Sequence, residues 1–67
     1  MIGKLEAELF LDKVVTILYQ EKNNEPDFTR GRLVKVTDFA VIIENKTGRR
    51  TLIALDAIQK IREAENQ

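Results

Sequence analysis

Cysteine, histidine and tryptophan are absent from the 67 residues, and there is one proline. Without cysteine there is no disulfide, no thiolate nucleophile and no Cys/His zinc site. Without histidine there is no Ser-His-Asp triad and no imidazole acid–base chemistry. Long apolar runs are missing as well. The longest stretch without a charged residue is 14–20, seven residues, against the roughly 20 that a transmembrane helix requires. The start, MIGKLEAELFLDK, carries acids within its apolar part and does not read as a signal peptide. A cytoplasmic protein with no membrane partner is therefore expected. The three glycines, Gly3, Gly31 and Gly48, are too far apart for a phosphate-binding loop. Glu6/Glu8 and Glu63/Glu65 are spaced by two, and on a helix such pairs do not face each other. The threonines have no neighbouring base. The chain thus reads as a non-enzyme, with no catalytic residue, no cofactor and no metal site.

What is present describes one small domain over residues 1–67. Charged residues make up 33% and hydrophobic residues 43%, a globular balance rather than a disordered one. A chain this short buries only roughly 60% of the surface that its unfolded form exposes. Small domains usually need a disulfide, a metal or a partner to be stable. The first two are ruled out, so self-association is expected.

Residues 2–11, IGKLEAELFL, place Ile2, Leu5 and Leu9 at helical spacing, with Lys4, Glu6 and Glu8 off that face. They predict a short helix lying on another element, because two or three turns are not stable alone in water. VVTILY from Val14 is β-branched and aromatic and predicts a strand. QEKNNEPDFTR is a loop around Pro26. GRLVKV and FAVIIEN follow as strands, with Thr37-Asp38 as a tight turn and Gly31 at a required bend. Asn45-Lys46-Thr47-Gly48 predicts a hairpin turn with Gly48 at positive φ, and RRTLIAL returns as a strand. The last segment, DAIQKIREAENQ, is ambiguous. Asp56 suits a helix cap or a turn, and Ile58 and Ile61 suit a short helix or a final strand. The tail 63–67 is expected to fray. Segments 41–43 and 52–55 are apolar on both faces, which suggests a strongly bent barrel or a sheet covered on both sides.

The 11 basic and 11 acidic residues are unevenly placed. Residues 30–53 hold six basic groups against two acidic, residues 1–29 three against six, and residues 54–67 two against three. Arg30, Arg32, Lys35, Arg49 and Arg50 are candidate phosphate contacts; the alternative is a solvated face with edge charges that block aggregation. Phe39, next to Asp38 at a turn, is either a base-stacking aromatic or a core residue. Phe10 and Phe28 read as core. Tyr19 ends a strand, at an interface or against the helix.

The order helix, VVTILY, GRLVKVTDFAVIIEN, tight turn, LIALDAIQKI resembles the Sm-like family over residues 5–62, and within it the bacterial Hfq-like proteins. Gly31-x-Leu33, Phe39, Asn45 and Ala57-Ile58 with Ile61 fall at that family's spacing. The Rho-inhibiting Rof proteins are similar in their helix, barrel and LD-x-I closing motif. The resemblance implies a mainly β fold: an N-terminal helix (2–11) followed by a small, strongly bent five-stranded SH3-like barrel (13–62). It favours strand over helix for the last segment. It implies a homo-oligomeric ring, a hexamer or heptamer, in which 49–55 of one copy pairs with 58–62 of the next. Thr51, Leu52, Ile53, Ile58 and Ile61 would then form the interface. It also implies single-stranded RNA as partner, with Phe39 stacking on a base and Asp38 where Hfq-like proteins carry glutamine. The family's Lys-His pair falls on Leu55 and Asp56, and its arginine-rich rim is missing. A protein-interaction module that binds itself or a protein partner, and no RNA, is the alternative function.

Overall fold

The computed structural model describes residues 2–64. Its elements run α1 (Lys4–Glu8), β1 (Val14–Tyr19), β2 (Asp27–Val36), β3 (Ala40–Glu44), β4 (Arg50–Ala54), a 3₁₀ turn (Leu55–Ala57) and β5 (Ile58–Glu63). The fold is mainly β: five antiparallel strands in one sheet of order β4-β3-β2-β1-β5. β4 and β5 are the two sheet edges.

β2 carries the design. Residues 27–32 pair with β1 and residues 32–36 with β3, so one long strand is shared by two partners that overlap only at Arg32. Gly31 stands at that crossover. A β-carbon there would meet Ile43 Cγ2 at 2.5 Å and the Glu44 carbonyl oxygen at 2.7 Å. The Ile43 side chain occupies the space, and the backbone oxygen beyond it cannot yield. The inward positions of the sheet, Val15, Ile17, Leu33, Val41, Ile43, Ile53 and Ile58, form one buried cluster with Ala7 and Leu55. Ile2, Phe10, Tyr19, Val36 and Ile61 pack against it.

The helix is shorter than the expected 2–11. Its N-terminus is held by Glu6, whose Oε1 accepts from the Gly3 N–H at 2.9 Å. Asp12 then takes φ 67°, a left-handed conformation that aspartate tolerates better than most residues. Its N–H donates to Leu33 O at 2.8 Å, and Leu33 N–H donates to Lys13 O at 3.0 Å. This backbone clasp turns the chain into β1 and pins the helix over β2.

Two expectations about side chains are corrected. Leu5 and Leu9 do not face the protein: they are 78% and 74% exposed, while Ala7 is fully buried. At about 100° per residue, Ala7 lies opposite both leucines, and its small side chain lets the helix backbone approach the sheet. Phe28 is 67% exposed rather than core. It pairs with Leu18 and shares strand parity with Arg30 and Arg32, whereas the inward parity belongs to Thr29, Gly31 and Leu33. Ile53 and Ile58 have their side chains buried within the chain itself. The last segment is a strand. Of the expected frayed tail, Glu63 belongs to β5 and Ala64 N–H donates to Val14 O at 2.9 Å; residues 65–67 lie outside the described residues.

Replacing Gly31 by alanine overpacks the crossover, so a loss of about 1–3 kcal/mol is expected, read as a lower urea midpoint. An unchanged midpoint would contradict the tight approach of Ile43. Ile53→Asp places a charge in the core and is expected to cost several kcal/mol, seen as loss of the cooperative thermal transition.

Candidate nucleic-acid interface

Strand pairing determines which charges share a surface. Arg62 of β5 lies opposite Thr16 of β1, and Thr16 lies opposite Arg30 of β2. Arg32 lies opposite Glu44, and Glu44 opposite Arg50. Lys60 and Phe28 flank Leu18. Residues opposite each other across an antiparallel pair project from the same side, so these rows all belong to the outer face.

Lys35 joins them for a specific reason. Arg30 and Arg32 share parity and Lys35 should not, because side chains alternate along a strand. The register slips between Leu33 and Lys35, and Lys35 pairs with Ile42, the outward neighbour of Leu52. This bulge returns Lys35 to the outer face. Asp27 and Glu63 take the opposite parity, opposite Tyr19 and Val15. The outer face therefore gathers Arg30, Arg32, Lys35, Arg50, Lys60 and Arg62 around a single carboxylate, Glu44. Glu44 Oε2 accepts from Arg50 Nε at 3.2 Å. Arg32, Lys35, Lys60 and Arg62 have no ion-pair partner among the described residues. With strands about 4.8 Å apart and about 3.3 Å per residue, neighbouring cations stand roughly 7–10 Å apart.

A groove lies at the hairpin end of this face, lined by Val14, Arg30, Gly31, Arg32, Glu44 and the hairpin residues Asn45–Thr47. The hairpin is held by Asn45, whose Oδ1 accepts from Thr47 N–H at 3.0 Å, Thr47 Oγ1–H at 2.7 Å and Arg49 N–H at 3.0 Å. Gly48 follows at φ 87°, as expected. Lys46 adds a cation at the groove. Arg49 lies in the turn rather than in β4, outside the paired rows.

Phe39 sits elsewhere. Thr37 Oγ1 accepts from the Phe39 and Ala40 N–H groups at 3.2 and 3.0 Å. This tight turn projects the phenyl ring outward at 81% exposure, which excludes the core alternative. Leu55 N–H donates to the Phe39 carbonyl at 2.8 Å, which sets the Leu55-Asp56 step next to the Phe39 main chain. Asp56 is thus a turn acid beside Phe39. On the other side, Lys4 Nζ donates to Asp38 Oδ1 at 2.8 Å. That hydrogen bond, with the charge of the ammonium, holds Asp38 below the ordinary aspartate value of 3.8 and Lys4 above the ordinary 10.5.

The site residues therefore divide. Arg30, Arg32, Lys35 and Arg50 come together; Asp38 and Phe39 lie at the opposite end of β3 from the groove hairpin, about 15–20 Å away at strand rise. Thr51 and Leu52 are exposed on the β4 edge, Ile61 is half-buried on β5, and Ile53 and Ile58 are internal. Lys46, Lys60 and Arg62 belong to the basic face and were not among the sequence candidates. The alternation Lys60-x-Arg62 was the available signal, once that segment is read as a strand. Among the described residues no group of His, Cys, Asp or Glu could hold a metal ion, and no helix is long and apolar enough to cross a membrane. Comparison with protein-family models, curated proteins and solved structures finds no match to the chain.

The depressed Asp38 contributes to folding above its unfolded value of about 3.8, a contribution lost as pH falls through the lower folded value. The raised Lys4 contributes below about 10.5, lost as pH rises through its folded value. Both groups are exposed, so the effect on total stability is small and is best read locally. In an NMR titration the Asp38 carboxyl should show its midpoint below 3.8, and Lys4→Met should move it upward. A midpoint unaffected by Lys4→Met would mean that the pair does not persist in solution.

Proposed function

We propose that the chain is a Sm-like, ring-forming protein that binds single-stranded RNA without catalysis. The observation that carries this reading is the outer face: six cations and one carboxylate among the described residues, with a groove at its hairpin end. Such a surface suits a polyanion. The separation of Phe39 from the groove favours a flexible polymer over a compact ligand, because only an extended strand could stack on the aromatic and reach the cations together. Stacking contributes about 1–3 kcal/mol per base, and each phosphate neutralised releases counterions.

Assembly is supported by the sheet order. β4 and β5 are both edges, and an unpaired edge readily accepts another strand. Pairing Arg50–Ala54 of one copy with Ile58–Glu63 of the next would close a barrel-like sheet into a cyclic hexamer or heptamer. It would cover the exposed Leu52, and with it Thr51 and Ile61. Ile53 and Ile58 would take part through their main chain alone. A small domain without disulfide or metal gains stability from such burial.

A protein-interaction module that binds no RNA is favoured at one place. Asp56 follows Leu55, whose N–H donates to the Phe39 carbonyl, and an acid there repels phosphate.

Sedimentation velocity should give a particle of six or seven chains; a monomer ends the ring reading. Fluorescence anisotropy with short oligouridylate and oligoadenylate should show binding at low salt. With about three phosphates contacted, affinity should fall roughly 20-fold between 50 and 200 mM salt. Arg32→Glu with Arg62→Glu should abolish the interaction, and Phe39→Ala should weaken it by about tenfold or more. No binding at low salt, or salt-independent binding, would overturn the RNA reading.

A further inference from the structure

The end of the molecule opposite in character to the basic face is apolar with an acidic rim. Leu5 and Leu9, one turn apart, project from the helix away from Ala7. The Lys4–Asp38 ion pair ties the first turn of the helix to the β2–β3 turn, so Leu5 and Phe39 each lie one residue from that tie. These three large apolar side chains are the most exposed in the described chain. A scattered surface leucine needs no explanation, but Leu5 and Phe39 beside one tie, with Leu9 one turn further along the helix, make an apolar end of the kind that marks an interaction site. Glu6 and Glu8 flank the leucines on the helix, Asp56 follows the residue bonded to the Phe39 main chain, and Asp38 is neutralised by Lys4.

Charge selects the occupant. A surface of anionic lipid headgroups is repelled by such a rim. An isologous contact between two copies would bring Glu6 and Glu8 against their own counterparts, and like charges set together at an interface are costly. A segment carrying apolar side chains flanked by lysine or arginine meets neither penalty. We infer that the patch of Leu5, Leu9 and Phe39 docks a basic, apolar peptide segment of another protein. Phe39 is shared with the proposed RNA contact, whereas Leu5 and Leu9 are not, so the leucine variants separate this inference from RNA binding.

The probe is a fluorescein-labelled 14-residue amphipathic peptide of leucine and lysine, with a leucine/glutamate peptide of the same pattern as control. The lysine peptide should bind and the glutamate peptide should not. Amide shifts on the unaltered protein should move at residues 4–9, 38–39 and 55–56. Leu5→Ser with Leu9→Ser should weaken binding at least tenfold, as should Glu8→Lys with Asp56→Lys, while Arg32→Glu should leave it unchanged. Equal binding of both peptides, shifts confined to the sheet face, or self-association abolished by Leu5→Ser with Leu9→Ser would each overturn the proposal; the last would make a second copy the occupant.

Discussion

The close approach of β3 to β2 at Gly31 is the constraint on which the sheet depends. There the strand changes partners, with β1 on one side and β3 on the other, and Ile43 fills the space that any side chain would need. Only the absence of a β-carbon lets the Ile43 methyl and the Glu44 carbonyl come so near. The inward residues of β1, β3, β4 and β5 then reach a common core with Leu33. A domain of this size has few buried side chains to spare, so losing the crossover would loosen the whole cluster.

Charge segregation follows from the same sheet. Overall the chain is neutral, which argues against a polyanion partner when composition alone is considered. Pairing redistributes that neutrality in space. Three strands, β2, β4 and β5, contribute cations to one face, and the β2 bulge adds a lysine that alternation would have sent inward. Acids fall at the helix, at Glu21 and Glu25 between β1 and β2, at Asp27 where β2 begins, and at the turns around Phe39. The molecule is consequently two-sided, with an anion-attracting sheet and an apolar, acidic end. A neutral total says little about partners when opposite charges lie on opposite surfaces.

Much of the architecture was legible because its signals are local. The β-branched run VVTILY, the Asn45–Gly48 turn and the Thr37-Asp38 reversal each depend on a few neighbouring residues. The ambiguous last segment shows where local signals end. Its residues favour a helix, yet β1 offers an unpaired edge, and pairing Ile61 with Ile17 buries more apolar surface than a free helix could. The helix misled in the opposite way. Leu5 and Leu9 have the spacing of an inward stripe, but contact with the sheet was won by Ala7, because a short helix packs closest through its smallest side chain.

The amino-acid order alone determined the succession of elements, the turn residues and the exclusion of histidine and cysteine chemistry, since these rest on residue types and near neighbours. Which side chains share a surface was decided by the folded sheet. Register, the bulge after Leu33 and the partner exchange at Gly31 join positions as distant as Arg30 and Arg62. Parity read along one strand carries no information about the strand beside it, and so the basic face and the isolated Phe39 emerge only when the strands are laid together.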